Sequence, residues 1–400
     1  MSHMNSNYEF PSLQKLPQYV FRQVAVLMDK ARQEGRDIID FGMGNPDGAP
    51  PRHLVEKLHH AIEVPQNHRY SVSRGIRHLR QAICEWYGRG FGVTLDPEHE
   101  AIVCIGAKEG ISHLMLAALQ RDETVLVPVP SYPIHLYAPL IAGGRICPVP
   151  VSPVSEFLGK VEAAIRRERS EGRPGPRFLI ISFPHNPTTA VVDSAFMQHV
   201  VDLAREYRLL VIHDFAYADL VFDGYRPPSL LQVPGARELA VEFFSLSKSY
   251  NIAGWRLGFM VGNAALVAAL ERLKSYLDYG IFQPLQIAAL AALNGPQDCV
   301  HEIVENYRRR RDVLCHGLQQ IGWPVEPPRG TMFVWAPIPE KFRPLGSLAF
   351  ARFLLDKANV AVSPGIGFGE HGDGHVRFAL IQDEQRTRQA LAGIKTALAL

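Results

Sequence analysis

The sequence has few of the features that mark disulfide-stapled, metal-binding or membrane-spanning proteins. Its 400 residues include five cysteines, an odd number with no Cys-x-x-Cys pair. This pattern argues against a disulfide framework and against a zinc ribbon, and it favours a reducing compartment such as the cytoplasm. No uncharged apolar run approaches the roughly 20 residues that span a bilayer, and the N-terminus lacks the apolar stretch of a secretory signal.

An excess of charge of one sign is also missing. Lys and Arg number 42, Asp and Glu number 40, and the formal net charge is +2. This balance gives no electrostatic reason to expect a nucleic acid or an acidic membrane surface as a partner. Small metabolites are the expected partners.

Motifs of several enzyme classes are absent as well. The sequence has no G-x-S-x-G of hydrolases, and it has no His-rich or H-E-x-x-H pattern, so we expect no metal. Gly367–Gly372 does match G-x-G-x-x-G, but this stretch runs into a predicted strand at His375–Leu380 and opens no helix. We interpret it as a loop beside the functional site that the motifs described below predict.

Short apolar runs that predict buried strands alternate with segments of helical period. The runs are Ala101–Ile105, Thr124–Val129, Phe178–Phe183, Leu209–His213, Val241–Phe244 and Leu257–Val261. Helical period separates several of them, as at Lys108–Leu119 and Ala195–Tyr207. This alternation predicts an α/β fold with a largely parallel sheet covered by helices on both faces.

The length predicts two domains, because single cores stop growing at roughly 250–300 residues. After Gly280 the pattern changes to long helices, of which Glu302–Gln320 is the clearest, and to shorter strands. We predict a large cofactor-binding domain over residues 46–285 and a smaller α+β domain over 286–400. An N-terminal segment, 1–45, is expected to join the smaller domain.

The most informative stretch is Ser245-Leu-Ser-Lys-Ser-Tyr-Asn-Ile-Ala-Gly-Trp-Arg256. The preceding strand would bring Lys248 to the mouth of the sheet, where a desolvated amine with a lowered pKa can attack an aldehyde. The hydroxyls of Ser245 and Ser247 and the guanidinium of Arg256 would hold a phosphate. Together they indicate a phosphorylated aldehyde cofactor, of which pyridoxal 5′-phosphate is the common one. Taken alone, Ser-x-Ser-Lys is more often a solvated loop, so the interpretation depends on partners elsewhere.

A second strand end carries a carboxylate. In Ile212-His-Asp-Phe-Ala-Tyr217, Asp214 ends the strand, and a buried carboxylate there is costly unless it is paired. The cofactor's pyridinium nitrogen is a suitable cation. Tyr217 and Asn186 could donate to its phenolic oxygen. The alternatives are that Asp214 caps a helix and that Asn186-Pro is a turn; His213 is interpreted as a core histidine.

Three further segments could contact an anion or a ring. Gly106-Ala-Lys joins a strand to a helix, so the backbone N–H groups of Ala107 and Lys108 suit a phosphate. Tyr132 can lie flat on a pyridine ring, or it can simply pack. Arg377 stands among apolar strand residues, where burial demands an anion such as an amino acid's carboxylate, or else a structural ion pair.

With these residues assembled, the chain resembles a class I aminotransferase of the fold-type I pyridoxal-phosphate family from about Pro17 onward. Within that family, Met43-Gly-Asn-Pro-Asp-Gly48 and Ser363-Pro-Gly-Ile-Gly-Phe-Gly369 are most similar to bacterial alanine (glutamate–pyruvate) aminotransferases, relatives of the LL-diaminopimelate enzymes. The resemblance implies pyridoxal 5′-phosphate and a homodimer with shared active sites. The distal arginine of aspartate-specific members has no clear match.

The resemblance also implies a role for each motif residue. Lys248 matches the lysine that bonds the cofactor, Asp214 the partner of the ring nitrogen, and Tyr217 a contact to the phenolic oxygen. Asn186 matches a second contact to that oxygen, and Tyr132 matches the aromatic residue that stacks on the ring. The phosphate site is matched by Ser245, Ser247, Arg256 and the Ala107-Lys108 backbone, and Tyr70 matches the tyrosine that reaches the neighbouring subunit's phosphate. Arg377 matches the carboxylate anchor, and Gly44 matches a backbone contact with the substrate.

The resulting functional prediction is ping-pong transamination, with L-alanine and 2-oxoglutarate as the expected pair. One alternative is an aminotransferase for LL-diaminopimelate, methionine or an aromatic donor. Another is a lyase that eliminates a β or γ substituent, such as a C–S lyase, on the same scaffold. The non-enzymatic alternative is a cofactor-sensing regulatory domain, which would need a DNA-binding domain ahead of it, and the short N-terminus is expected to leave no room for one.

Overall fold

Two β-sheets organise the part of the chain that the structure describes, and helices pack around both. The computed structural model describes residues 16, 17 and 20–399. The strands are β1 (Ile39–Phe41), β2 (Ala101–Cys104), β3 (Thr124–Val129), β4 (Arg145–Pro150), β5 (Phe178–Ile181), β6 (Leu210–Asp214), β7 (Ala240–Ser245), β8 (Gly258–Gly262), β9 (Phe333–Pro337), β10 (Val360–Pro364) and β11 (His375–Ala379). The α-helices are α1 (Val20–Gln33), α2 (Arg52–Ile62), α3 (Arg77–Phe91), α4 (Ala107–Ala118), α5 (Pro133–Ile141), α6 (Val154–Ser170), α7 (Ser194–Tyr207), α8 (Leu246–Ser249), α9 (Ala264–Leu277), α10 (Gln283–Asn294), α11 (Asp298–Gln320), α12 (Gly346–Ala358) and α13 (Glu384–Leu398).

The larger sheet has the strand order β2-β8-β7-β6-β5-β3-β4. Its strands run parallel except β8, which is antiparallel to both β2 and β7. The predicted α/β fold with a largely parallel sheet is confirmed. Strand β4 was not predicted because it lies at the sheet edge, carries Pro148 and Pro150, and mixes buried with exposed residues, so it lacks the continuous apolar run of the central strands.

The larger sheet directs its functional loops to one edge. The turns that follow β2, β3, β5, β6 and β7 all leave from the carboxyl ends of parallel strands, where open α/β sheets bind ligands. Helix α4 shows how buried apolar side chains hold one of these loops in place. Its buried stripe of Ile111, Leu114 and Met115 packs on the sheet, and each such side chain contributes about 1.5–3 kcal/mol on burial. This packing holds the first turn of α4 at the carboxyl edge of the larger sheet.

The smaller sheet has the order β1-β10-β11-β9. Strand β1 pairs in parallel with β10, whereas β11 is antiparallel to β10 and β9. Its own core includes Phe41, Leu314 and Phe378. Helix α10 packs against α2 and α3 beside the larger sheet. The domain limits 1–45, 46–285 and 286–400 stay predictions, and residues 1–15 lie outside the described part.

None of the helices in the described part of the chain has the length and apolarity that a bilayer crossing requires. The glycine-rich stretch 367–372 forms parts of two short 3₁₀ turns and leads into β11 rather than into an α-helix.

Candidate active site

A cavity of about 300 Å³ lies where the loops of the larger sheet meet β10, β11 and helix α1. It brings together nearly all the residues predicted from the sequence. Its lining includes Gly44, Ala107, Lys108, Tyr132, Asn186, Asp214, Tyr217, Ser245, Ser247, Lys248, Arg256 and Arg377. This volume is at the lower end of ordinary small-molecule sites.

Lys248 lies in the four-residue helix α8, directly after β7. The hydroxyl of Ser245 accepts from the backbone N–H of Ser247 at 3.3 Å and caps this helix, and the Nζ of Lys248 donates to the carbonyl of Gly44 at 2.9 Å. Burial, helped by the positive charges of Arg377 and Arg256, lowers the pKa of Lys248 to about 8. The neutral amine, which a nucleophile or proton acceptor requires, is therefore far more accessible near physiological pH than in an ordinary lysine.

Hydrogen-bond donors suited to a phosphate surround the first turn of α4. Gly106 has φ of +75°, and a β-carbon there would collide with the guanidinium of Arg256. The N–H groups of Ala107 and Lys108 belong to the unpaired first turn of a helix, where the dipole favours an anion. The buried hydroxyl of Ser247 has no hydrogen-bond partner among the described residues. This set fits a phosphorylated cofactor.

Asp214 has a histidine partner that sequence reasoning missed. The Nε2 of His135 lies 2.8 Å from Oδ2 of Asp214, and its Nδ1 lies 3.0 Å from the hydroxyl of Ser131. Both members of this pair are buried. The other oxygen of Asp214 accepts the N–H of Ala216 at 3.3 Å. The carboxylate is therefore oriented from two sides before any cofactor contacts it.

His213, the neighbour of Asp214, points to the opposite face of β6. It is fully buried, and its Nδ1 lies 2.8 Å from Oε1 of Glu242. This placement is that of the core histidine expected from strand alternation.

Arg377 occupies the centre of β11, opposite Ser363 of β10. Its Nη1 donates to Oδ1 of Asn186 at 2.7 Å. Its guanidinium carbon lies 3.8 Å from the ring centroid of Phe333 and 4.5 Å from that of Phe368. The two rings hold the guanidinium in place, so that its planar fork can take a carboxylate in two hydrogen bonds.

Tyr217 and Gly44 face the same cavity. Burial raises the pKa of Tyr217 well above its ordinary value, so the phenol stays protonated and can donate. A β-carbon at Gly44 would lie 2.6 Å from the ring of Phe333, which explains the need for glycine there. Tyr132 precedes helix α5 and lies edge-on to His135 with 5.8 Å between ring centroids.

An apolar wall also borders the cavity, and sequence reasoning missed it. Phe21, Val24 and Met28 of helix α1 line it together with Phe333 and Phe368. The sequence offered only the apolar stripe of an amphipathic helix as a signal for this wall, and such a stripe does not reveal which part of the protein it covers.

Tyr70 is the one predicted site residue that the structure does not bring to the cavity. Its side chain is 91% exposed, and its ring centroid lies 5.5 Å from that of Tyr279. It does not line the cavity that the other predicted site residues share. Its predicted role in a neighbouring subunit's site stays a prediction.

A second charged cluster lies on the far side of α4. Glu109, His113 and Asp278 converge there, but Nζ of Lys274 already lies 2.8 Å from Glu109 and 2.9 Å from Asp278. Burial raises the pKa of Glu109, but hydrogen bonds from His113 and Lys274 outweigh it and lower the pKa to about 2. The lysine supplies the cation of this cluster.

The comparisons with known proteins agree with this geometry. The family model for aminotransferases of class I and II matches residues 36–394, and the chain belongs to this family. Glutamate–pyruvate aminotransferase AlaC of Escherichia coli is 56% identical over 99% of this chain and 95% of that protein. An LL-diaminopimelate aminotransferase of Desulforudis audaxviator is 43% identical over 98% of each chain. The solved structure of substrate-bound BacF from Bacillus subtilis superposes with a TM-score of 0.89 at 33% identity, covering 97% of each chain.

The protein is therefore a pyridoxal-phosphate-dependent aminotransferase of fold-type I. The sequence-based predictions of family, fold, enzyme class and cofactor are confirmed, and so is the resemblance to alanine aminotransferases and their LL-diaminopimelate relatives. The role of each individual site residue stays a prediction.

Proposed function

We propose that this enzyme exchanges an amino group between L-alanine and 2-oxoglutarate by a ping-pong mechanism. The observation that carries the proposal is the cavity itself, in which the amine of Lys248 and the guanidinium of Arg377, held between two rings, line one space of about 300 Å³. The apolar wall of Phe21, Val24 and Met28 suits a small apolar side chain. The identity to a glutamate–pyruvate aminotransferase supports the same substrates.

Each side chain has a proposed task in this reaction. Arg377 binds the carboxylate that both substrates share, and so orients the Cα–H bond. Lys248 takes the proton from Cα, because its lowered pKa keeps the amine available near neutral pH. When bound, pyridoxal 5′-phosphate supplies an electron-withdrawing ring that stabilises negative charge at Cα. Asp214 would hold a proton on the ring nitrogen, and Tyr217 and Asn186 would donate hydrogen bonds to the phenolic oxygen.

The substrate assignment has a specific competitor. The 43% identical relative acts on LL-diaminopimelate, and it supports a longer, charged donor. A panel of amino donors (L-alanine, LL-diaminopimelate, L-methionine, L-phenylalanine and L-aspartate) against pyruvate and 2-oxoglutarate tests both. The absorbance of the bound cofactor reports each half-reaction, and mass spectrometry identifies the products.

We expect L-alanine with 2-oxoglutarate to be the best or near-best pair in this panel. A strong preference for diaminopimelate, methionine or an aromatic donor, with alanine nearly inert, would refute the alanine assignment and leave the aminotransferase standing. Release of a keto acid together with a leaving group, with no acceptor required, would identify a lyase. Cofactor binding without turnover of any donor would identify a sensor.

We also propose a homodimer with shared active sites that works in the cytoplasm. Several large apolar side chains near Tyr70 are exposed, including Val72, Tyr276, Tyr279 and Phe282. Such a patch on a soluble enzyme commonly marks an interface with another chain. The five cysteines are unpaired thiols, which supports a reducing compartment.

The shared site predicts that Tyr70 acts in trans. When Lys248→Ala subunits are mixed and refolded with Tyr70→Phe subunits, one site of each heterodimer should carry both defects and the other should carry neither. Activity per heterodimer should therefore exceed that of either parent homodimer. Tyr276→Phe removes a hydroxyl from the same exposed patch, but from a residue with no predicted role at the phosphate. It is therefore the matched control for Tyr70→Phe and should be fully active as a homodimer. No recovery in a heterodimer verified by mass would show that Tyr70 serves its own chain or only packs.

A further inference from the structure

Arg310 of helix α11 makes a two-pronged ion pair with Asp47, outside the cavity. Its Nη1 lies 2.7 Å from Oδ1 and its Nη2 lies 2.8 Å from Oδ2 of the carboxylate. The same Nη1 donates to the carbonyl of Leu380 at 3.0 Å. The side chain of Arg310 is only 17% exposed, and its guanidinium carbon lies 5.9 Å from the ring centroid of Tyr307. One guanidinium thus ties together three segments of the chain.

Two of these segments carry groups of the active site. Asp47 lies three residues after Gly44, whose carbonyl accepts from Nζ of Lys248 at 2.9 Å. Leu380 lies three residues after Arg377 and directly follows β11. Arg310 therefore connects the stretch that contacts the lysine to the strand that carries the carboxylate anchor.

The spacing between these two segments is tightly constrained. The ring of Phe333 lies between them, close enough to Gly44 that a β-carbon there would come within 2.6 Å of it, and 3.8 Å from the guanidinium carbon of Arg377. Arg377 Nη2 also reaches the carbonyl of Gly42 at 3.5 Å. A small movement of residues 42–47 would thus change the surroundings of Lys248 and Arg377 together.

We propose that Asp47 and Arg310 form a positioning pair, which sets the carbonyl of Gly44 against Lys248 and holds the segment 42–47 in register with Arg377. The inference rests on the proposed roles of Lys248 and Arg377. Neither Asp47 nor Arg310 touches the cavity, so the pair acts through these neighbours and not on the substrate. A fork-shaped guanidinium suits this task because two parallel hydrogen bonds fix orientation as well as distance.

The chain offers a matched control. Arg386 and Asp37 form a second two-pronged pair, with both oxygens 2.7 Å from the guanidinium nitrogens. Arg386 is in α13 and Asp37 precedes β1, so this pair also joins two segments around the smaller sheet. Neither residue lines the cavity. Arg386→Met therefore removes the same kind of interaction without touching the segment 42–47.

The first measurement is steady-state kinetics on holoenzyme with the best donor of the panel, whichever it is. We expect Arg310→Met and Asp47→Asn each to lower kcat/KM by about 10- to 100-fold, as loss of a supporting group does at other sites. The double variant should lose little more than either single variant, because both remove one interaction. The kcat/KM of Arg386→Met should stay within about twofold of the wild-type value, even when its thermal unfolding midpoint falls as far as that of Arg310→Met.

The second measurement needs neither substrate nor cofactor. In apoenzyme, competitive acetylation followed by mass spectrometry yields the apparent pKa of Lys248. Loss of the Gly44 carbonyl as an acceptor removes a contact that favours the ammonium, so the apparent pKa should move downward in Arg310→Met and not in Arg386→Met. The positive charges that act on Lys248 are those of Arg377 and Arg256, and both are present in either variant. Arg310→Lys, which keeps the charge but not the fork, should behave like Arg310→Met.

Three results would overturn the proposal. The first is that Arg310→Met and Arg386→Met lose equal activity at equal loss of thermal stability. The second is that the losses of Arg310→Met and Asp47→Asn add up in the double variant, and the third is that the apparent pKa of Lys248 does not move in Arg310→Met. Should Arg310→Met fail to fold, Asp47→Asn and Arg310→Lys carry the same comparisons. Alanine nearly inert in the donor panel, or cofactor binding without turnover of any donor, would instead refute the proposed function, so the two failures are distinguishable.

Discussion

Lys248→Ala is expected to abolish transamination. The substitution removes the amine that bonds the cofactor and also the base that takes the proton from Cα, so steady-state turnover should fall by about 10⁴-fold or more. Cofactor should still bind, because the N–H groups of Ala107 and Lys108, the hydroxyl of Ser247 and the guanidinium of Arg256 are left in place. Stopped assays with the purified variant and absorbance spectra with added cofactor measure the two effects.

Lys395→Ala is the control for this experiment, since that lysine is exposed on α13 and does not line the cavity. It should leave both the rate and the visible band of the cofactor unchanged. Full activity of Lys248→Ala, or an undisturbed visible band, would show that the amine near Gly44 is not the reactive one. Restoration of partial activity by added small primary amines would support the assignment of the base.

Most of the site was predictable because its residues follow directly from strand ends. Asp214 ends one predicted strand, Lys248 and Asn186 follow two others within five residues, and parallel strands bring their carboxyl ends to one edge. The chemistry of each residue type then restricted what the edge could bind. The central strands of the larger sheet were predictable for the same reason, since continuous apolar runs mark them, whereas the edge strand β4 has no such run.

The parts that were missed depend on contacts between distant segments. His135 is separated from Asp214 by 79 positions, and nothing in the helix around it distinguishes a carboxylate partner from a packed imidazole. Asp47 and Arg310 are 263 positions apart, and each looks like an ordinary surface charge. Phe21 belongs to a helical stripe whose partner only the fold determines. Periodicity reports which face is buried, but not what buries it.

Tyr70 illustrates a different limit. Its motif suggested a role through resemblance, but the surroundings of a residue that serves another chain cannot be read from its own fold. Its 91% exposure would be unusual for a group that binds a phosphate within its own chain. Only the mixed dimer separates a role in trans from an exposed aromatic that merely packs against Tyr279.

Asp214→Asn is expected to leave a folded enzyme with badly impaired chemistry. An amide is similar in size and can keep the hydrogen bond to Ala216, but it carries no negative charge to hold a proton on the cofactor's ring nitrogen. The rate of a single half-reaction should fall by about 10²–10³-fold, the range seen when one preorganised electrostatic contact is lost. Substrate binding should change much less, since Arg377 is untouched.

The control tests the alternative that Asp214 is a capping residue. Asp193 is a helix cap, since its carboxylate accepts from the N–H of Phe196 at 2.9 Å at the start of α7. Asp193→Ala should lower the free energy of unfolding by about 0.5–2 kcal/mol and leave the half-reaction rate unchanged. Asp214→Asn should show the reverse, with the rate lost and stability largely kept. If single-turnover rates of Asp214→Asn equal those of wild type while its unfolding midpoint falls, Asp214 is structural and the ring nitrogen needs another partner.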